Sequence, residues 1–372
     1  MSQYRALWRT IKTRLKKSSD KSAATGRLPL ETHSESFLNQ PHDLLARLRE
    51  YLFSPDEPDA HLNPKWLAVK FQIGERELLD ALAYAVLNGM VDLHWEVFCP
   101  ACGARPAEFS SLKEAHSHID CPGCGNDFDL HLDRDVRVTF SATESLRRTR
   151  GDKSISLPIE SDDHTPTRGL DLLLAPAFRK LFSGEAPALN ESLRIGRVAM
   201  LFTDLRGSTA IYAERGDPRA YRMVRQHFDI LTAAIERQHG ALVKTIGDSV
   251  MASFASGADA VAAGHEAQTE LQTRVGEIGG ELVLKAGVHA GACLIVNLNE
   301  RLDFFGGAIN TAARVQGLSH GNDVVVTDEV FAEVESAALP IIVTESFDSK
   351  LRGVPAPVHV RRLIVRTSNK SF

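Results

Sequence analysis

Long apolar runs are missing from this chain. No run of 18 or more apolar residues occurs, and the N-terminus lacks the short apolar core and small-residue cleavage site of a secretory signal. Only five cysteines are present, and four of them fall in two C-x-x-C pairs, which argues against a disulfide framework. We therefore expect a cytoplasmic protein whose thiols stay reduced and can bind a metal.

A large excess of charge of either sign is also missing. Forty-three basic and 48 acidic side chains give a net charge of -5, which argues against nucleic acid as the main partner. Apolar residues make up 43% and charged residues 24%, the balance of a globular protein. A chain of 372 residues is long enough for two or three folded units.

The N-terminal segment, residues 1–40, begins with a basic stretch. Within residues 1–28, apolar side chains recur at helical spacing between lysines and arginines. Such a stretch can lie weakly on an anionic membrane surface or cover another domain, and a solvated terminus is the commoner outcome. Membrane-surface contact through residues 1–28 therefore stays open.

Residues 41–98 have the pattern of a winged-helix-like unit. The sequence predicts helices at 41–52, from the Asn63-Pro64 cap to about Phe71, and at 75–88, followed by a strand at 91–98. Helix, turn, helix and strand at these lengths are typical of DNA-binding modules. The helix at 75–88 begins with Glu75, Arg76 and Glu77, however, whereas a phosphate backbone is bound chiefly through Lys and Arg. We expect a structural or protein-contact role.

Residues 99–140 have the spacing of a zinc ribbon. Two C-x-x-C turns, 18 residues apart, supply Cys99, Cys102, Cys121 and Cys124. Each turn offers two thiolates, so the pair completes the tetrahedral set that structural Zn²⁺ prefers and leaves no position open for catalysis. Redox chemistry at one C-x-x-C is the alternative. We expect a strand over 128–140 to complete the ribbon.

Residues 141–190 are predicted to form a linker with one helix. The stretch 141–168 is rich in Ser, Thr, Asp, Arg and Pro and has few apolar residues. Helical spacing returns at 170–182 and leads into the last domain, residues 191–372.

A carboxylate stands at the end of an apolar strand in this last domain. The strand at 197–202 runs into Asp204, and a long helix over 217–240 follows. Strands at 241–246 and 249–254 are joined tightly at Gly247-Asp248. If this hairpin pairs beside the first strand, Asp204 and Asp248 converge where two hard cations can be bound with triphosphate oxygens.

Three phrases in this domain resemble the class III nucleotidyl cyclases. They are LFTDLRGST at 201–209, KTIGDS at 244–249 and DFFGGAINTAAR at 303–314, and the likeness covers about 197–365. The resemblance implies an α+β protein with a ferredoxin-like catalytic domain that converts ATP into 3',5'-cyclic AMP and pyrophosphate. The winged-helix-like unit joined to a zinc ribbon resembles a regulatory region found ahead of some bacterial cyclase domains.

The resemblance also implies a role for each matching residue. Asp204 and Asp248 would hold two Mg²⁺ or Mn²⁺ ions, and Lys244 with Asp303 would recognise adenine. Asn310 would orient the ribose, and Arg314 would stabilise the transition state. In this family the metal aspartates come from one subunit and the other residues from its partner. A homodimer with two composite sites is therefore implied.

Physical chemistry supports part of this assignment independently. Asn310 and Arg314 stand at i and i+4 of a predicted helix, so they project from one face. The ammonium of Lys244 suits adenine N1 and the carboxylate of Asp303 suits the exocyclic amine, whereas guanine presents the reverse pattern. Two alternatives stay open: a guanylate cyclase on the same scaffold, and a zinc-stabilised DNA-binding regulator whose cyclase domain is inactive.

Overall fold

The computed structural model describes residues 40–54, 57, 60–150, 165–208, 217–278 and 280–365. The basic stretch 1–28 and residues 151–164 of the expected linker lie outside this part of the chain. The segment Leu44–Phe372 forms one compact unit. Among the described residues, every helix is too short or too polar to span a bilayer.

Three helices begin the described chain, as the sequence predicts: α1 (Gln40–Phe53), α2 (Pro64–Phe71) and α3 (Glu75–Leu87). The Asn63 side chain accepts a hydrogen bond of 3.0 Å from the backbone N–H of Lys65, which caps the start of α2. Pro64 follows at the first helical position, where its missing N–H costs nothing. The predicted cap and both predicted ends of this helix are confirmed.

A three-stranded antiparallel sheet follows, in the order β2-β1-β5. Its strands are β1 (Val91–Val97), β2 (Ala107–Phe109) and β5 (Val136–Ala142), and a separate two-stranded ribbon joins β3 (His118–Asp120) to β4 (Asp127–Asp129).

The continuous strand expected over 128–140 is wrong. The chain turns after β4, and β5 pairs along the whole of β1 rather than with the cysteine turns. The buried carboxylate of Asp135 stabilises the turn, because it accepts hydrogen bonds from the backbone N–H of His131 and from the Arg134 guanidinium at 3.1 and 2.7 Å.

The region expected as a linker contributes to the core. It contains α4 (Glu144–Arg150), α5 (Gly169–Leu173) and α6 (Pro176–Leu181) instead of one helix over 170–182. The break falls at Pro176, which cannot donate the backbone hydrogen bond that a continuous helix needs. Leu172 and Leu173 are fully buried and Phe178 is 2% exposed, so these helices pack as part of the folded unit.

The C-terminal half is built on one mixed sheet. Its elements, in chain order, are β6 (Leu193–Leu205), α7 (Asp217–Arg237), β7 (Ala241–Ile246), β8 (Ser249–Phe254), α8 (Gly257–Thr273), α9 (Val275–Ile278), β9 (Leu284–Leu298), β10 (Arg301–Phe305), α10 (Gly307–Gly317), β11 (Asp323–Thr327), α11 (Asp328–Ser336), β12 (Ile341–Ser349) and β13 (Val358–Val365).

The strand order is β12-β13-β11-β9-β6-β8-β7, and β10 pairs with the C-terminal end of β9. The β9-β6-β8-β7 part is antiparallel throughout and is joined through α7 and α8, which is the βαββαβ arrangement of ferredoxin-like folds. Only β11 and β9 pair in parallel among the described strands. The predicted α+β class is therefore confirmed.

Strand β6 has a core on each face. Ala199 and Leu201 pack with the side chains of α7 and α8. Val198 and Met200, on the opposite face, belong to a core that includes Ala312 of α10 and extends to the apolar residues of α1 to α6. The N-terminal half and the sheet face that carries α10 therefore share one hydrophobic core.

Helix α10 lies very close to β9 at Gly287. A Cβ atom at this glycine would stand 2.2 Å from the backbone nitrogen of Gln316. Since backbone atoms cannot swing aside, only a residue without a side chain permits this approach.

Gly287→Ala should therefore lower the free energy of unfolding by about 1–3 kcal/mol, the usual cost of overpacking a core. Thermal and urea unfolding measure the loss. Gly276→Ala in α9 is the matched control, because a Cβ there meets nothing within 4 Å, and alanine is the better helix former. Equal stability of the two variants would contradict the close packing of α10 on β9.

Candidate active site

Asp204 and Asp248 lie at the same end of the sheet. The antiparallel pairing of β6 with β8 sets Thr203 opposite Val250, so the end of β6 stands beside the beginning of β8. Asp248 occupies the tight turn that precedes β8. The hydroxyl of Ser249 donates a hydrogen bond of 2.6 Å to Oδ1 of Asp204, which ties the two predicted positions together.

One oxygen of the Asp248 carboxylate is buried without a hydrogen bond in the described part of the chain. This oxygen, Oδ2, is sealed from solvent and accepts no hydrogen bond from any residue that the structure describes. A buried carboxylate oxygen in this condition is costly unless a cation or a donor satisfies it. The donor set of two aspartates with one such oxygen suits a hard divalent ion, which prefers carboxylate ligands.

His227 of α7 is buried close to this carboxylate. Burial lowers the pKa of His227 to about 4, although the negative charge of Asp248 opposes the shift. The imidazole is therefore neutral near pH 7. It leaves the negative charge of Asp248 available to a cation.

Lys244 and Asp303 form an ion pair that joins β7 to β10. The Asp303 residue is only 8% exposed, and its Oδ1 also accepts a hydrogen bond of 2.8 Å from the backbone N–H of Phe304. The ammonium and the carboxylate thus stand side by side, as a pair that reads neighbouring donor and acceptor atoms requires.

Asn310 and Arg314 lie on the exposed face of α10. Thr311, Ala312 and Val315 turn to the opposite side and are buried. Neither the Asn310 nor the Arg314 side chain forms a hydrogen bond or ion pair with another residue in the described parts of the chain. Both are therefore accessible to a molecule outside this subunit.

Comparison with known proteins identifies the segment that holds all six residues. The family model of the adenylate and guanylate cyclase catalytic domain matches residues 191–358. This segment belongs to that family. The predicted resemblance to class III cyclases is confirmed for this cyclase domain. A second model, for a family of unknown function (DUF5939), matches residues 43–164.

Curated relatives of the cyclase domain are distant and mostly longer. An adenylate cyclase of Mycosarcoma maydis is 29% identical over 163 residues, which are 38% of this chain and 6% of that protein. An adenylate cyclase of Anabaena cylindrica is 27% identical over 245 residues, 60% of this chain and 47% of that protein. The chain thus spans less than half the length of these relatives. The crystal structure of the adenylyl cyclase CyaB from P. aeruginosa, 19% identical, covers 48% of this chain and 98% of its own at a TM-score of 0.42.

One side chain from outside the cyclase domain reaches the Lys244–Asp303 pair. Arg179 of α6 has its Cζ 5.6 Å from the Phe304 ring centroid, and its Nη1 is sealed from solvent without a hydrogen-bond partner among the described residues. Burial lowers the pKa of Arg179 to about 10, against the attraction of Asp303. This residue was not predicted from the sequence, where Arg179 stands between Phe178 and Phe182 without a recognisable motif.

The four cysteines of the C-x-x-C turns meet in the other half of the protein. Cys99 Sγ lies 3.8 Å from Cys124 Sγ, and Cys102 Sγ lies 3.7 Å from Cys121 Sγ. All four sulfur atoms lie within 4.8 Å of one another. Cys293, the fifth cysteine, is buried in β9.

The buried His227 predicts acid sensitivity of the cyclase domain. Its folded-state pKa of about 4 is below the 6.5 of an unperturbed histidine. As the pH falls from 6.5 to 4, the unfolded chain takes up a proton that the folded chain does not, and up to about 3 kcal/mol of stability is lost. His227→Gln should reduce this loss in unfolding measured across the same pH range. His239→Asn, whose side chain is 67% exposed, should leave the pH dependence unchanged.

Proposed function

We propose that this protein is an adenylate cyclase that converts ATP into 3',5'-cyclic AMP and pyrophosphate at composite sites between two copies of the chain. The observation that carries the proposal is the meeting of Asp204 and Asp248 at one sheet end, where an Asp248 oxygen is buried and accepts no hydrogen bond from the described residues. The name adenylate cyclase borne by the matched relatives supports the same reaction.

Asp204 and Asp248 would hold two Mg²⁺ or Mn²⁺ ions. When bound, these ions supply the charge that favours ionisation of the ribose 3'-hydroxyl and neutralises the triphosphate. Ser249 keeps Asp204 oriented by its hydrogen bond, and the neutral His227 preserves the negative charge of Asp248. The 3'-oxygen attacks the α-phosphorus in line, a new P–O bond forms, and pyrophosphate leaves with the electrons of the broken bond.

The base is read by Lys244 and Asp303. Adenine presents an acceptor at N1 next to a donor at its exocyclic amine, and the paired ammonium and carboxylate match this order. Guanine presents a donor at N1 next to an acceptor at O6, so it would leave the buried Asp303 carboxylate and the half-exposed Lys244 ammonium badly paired. This contrast favours ATP over GTP.

Asn310 and Arg314 would act on nucleotide held by the other subunit. Both are exposed on one face of α10 and have no partner within the described chain, which supports a role across a dimer interface. Arg314 would neutralise the charge that grows on the phosphoryl oxygens, and Asn310 would orient the ribose. A twofold axis then makes two equivalent sites.

Turnover of ATP tests the reaction. The purified protein with Mg²⁺ or Mn²⁺ should release cyclic AMP, Asp204→Asn should abolish it, and Arg314→Ala should slow it by about 10³-fold or more. Asp229→Asn, the same chemical change at an exposed position of α7, should keep full activity. Absence of cyclic AMP from the wild type contradicts the proposal, and faster turnover of GTP would assign a guanylate cyclase instead.

Mixing two inactive variants tests the composite site. A dimer of one Asp204→Asn chain and one Arg314→Ala chain contains one intact site, so an equimolar mixture should recover about a quarter of wild-type activity. A site built within one chain would give no recovery.

For the N-terminal half, the proposed boundaries are a basic segment over 1–40, a winged-helix-like unit over 41–98 and a zinc ribbon over 99–140. The order of three helices followed by β1 supports the winged-helix assignment. The acidic start of α3 continues to argue against DNA as its partner. The sulfur separations of 3.7 and 3.8 Å support zinc. Four thiolates about 2.3 Å from one tetrahedral ion would stand about 3.8 Å apart.

Elemental analysis tests the ribbon. The wild type should retain tightly bound zinc, and Cys121→Ser should lose it together with several degrees of thermal stability, because a structural zinc site supplies folding energy. Cys293→Ala removes a thiol elsewhere and should keep the metal. A zinc-free protein in which one C-x-x-C pair forms a reversible disulfide would support redox chemistry instead.

A further inference from the structure

We propose that His61, Glu96 and Glu108 bind a divalent transition-metal ion at a second metal site in the N-terminal half, with His94 as a positioning residue. This site is separate from the cysteine cluster and independent of the proposed cyclase reaction. One imidazole and two carboxylates form a mixed nitrogen and oxygen donor set, which suits ions such as Mn²⁺, Fe²⁺ and Zn²⁺.

The sheet β2-β1-β5 brings these residues to one face. Glu96 of β1 pairs directly with Glu108 of β2. His94 lies two residues earlier in β1 and therefore projects from the same face as Glu96. His61 precedes Leu62, which forms a β-bridge with Phe140 of β5. Two strands and the approach to α2 thus converge on a single point.

The three side chains lie close enough to share an ion after a small adjustment. One ligand atom from each of His61, Glu96 and Glu108 can be chosen so that all three lie within 4.8 Å of one another. His61 Nδ1 and Glu96 Oε1, which are hydrogen-bonded at 2.5 Å, would separate to about 3 Å when both bind the same ion. His94 Nδ1 contacts Glu108 Oε1 at 2.8 Å and so holds that carboxylate in place. Ligating carboxylates are commonly fixed by such a hydrogen-bonded neighbour.

A cation already lies between the two carboxylates. Arg105 Nη1 is 3.0 Å from Glu96 Oε1 and 3.4 Å from Glu108 Oε2. Its side chain is 44% exposed, so it can turn outward at little cost. The guanidinium therefore shows that positive charge is favourable between the two carboxylates. A metal ion would replace it at this position.

The surroundings favour a binding site over a plain surface ion pair. Glu96 is only 5% exposed, in the middle of a strand, and Thr139 donates a further hydrogen bond of 2.9 Å to its Oε1. His61, His94, Glu96 and Arg105 line a cavity of about 810 Å³. This volume gives an ion access and leaves room for water or a small ligand in the open coordination positions.

The fold holds His61 in one orientation. A hydrogen bond of 2.9 Å runs from its backbone N–H to Ser141 Oγ, and its φ of 50° is in the left-handed region.

Calorimetric titration with Mn²⁺, and separately with Zn²⁺, tests the proposal on the full chain with its cysteine site already loaded with zinc. Asp204→Asn and Asp248→Asn are present throughout and nucleotide is absent, so the proposed catalytic ions do not contribute. One further equivalent of metal should bind. Glu108→Gln, at a half-exposed position that tolerates the change, should weaken binding more than about 10-fold.

Arg105→Gln is the most discriminating variant. It removes the competing cation and should therefore increase the metal affinity several-fold. Glu114→Gln, the same change at an exposed carboxylate outside this group, is the matched control and should leave binding unchanged. Ordinary ion pairing among these residues predicts no further equivalent of either metal in any variant, and that result would overturn the proposal. Binding that Glu108→Gln and Arg105→Gln both leave unaltered would overturn it equally.

Discussion

The antiparallel pairing of β6 with β8 is the constraint on which the candidate active site depends. It fixes the end of β6 beside the beginning of β8 and so brings Asp204 next to the turn that carries Asp248. Two carboxylates at one point are unfavourable without a compensating cation. The hydrogen bond from Ser249 and the neutral His227 leave this negative charge in place, and Asp248 Oδ2 has no hydrogen-bond donor among the described residues, so a divalent ion would neutralise it.

The N-terminal half packs against this sheet as part of the same folded unit. Its apolar residues share one core with the face of β6 that carries α10, and polar contacts reinforce the junction. Arg76 of α3 donates to the backbone carbonyl of Gly240, at the start of the hairpin that bears Lys244 and Asp248. Arg179 adds a buried positive charge beside Asp303. Any rearrangement of α3 or α6 would therefore change the surroundings of Lys244 and Asp303.

The three candidate metal sites in the described part of the chain differ in the softness of their ligands. The cysteine cluster has four soft ligands and no open position, which suits a structural ion. The Asp204–Asp248 pair and the His61–Glu96–Glu108 group have harder ligands and leave coordination positions for substrate or water. Ligand softness thus separates the sites by the ion each would select, even within one protein.

The sequence by itself determined the local structure and the chemical inventory. Hydrophobic periodicity and caps predicted the three N-terminal helices and the β7–β8 hairpin, and the resemblance of three motifs to class III cyclases pointed to the six candidate residues of the cyclase domain. These features depend on neighbours within a few positions of the chain. They can therefore be read without knowing the fold.

Tertiary structure alone decided which distant residues meet. The linker assignment of 141–190 rested on composition, which does not show that the buried apolar residues of α5 and α6 have a partner surface. The pairing of β5 with β1, the approach of Arg179 to Phe304 and the meeting of His61 with Glu96 and Glu108 join positions about 35 to 125 residues apart. Local propensity carries no information on such contacts, since the free energy that selects them comes from burying surfaces that only the folded chain brings together.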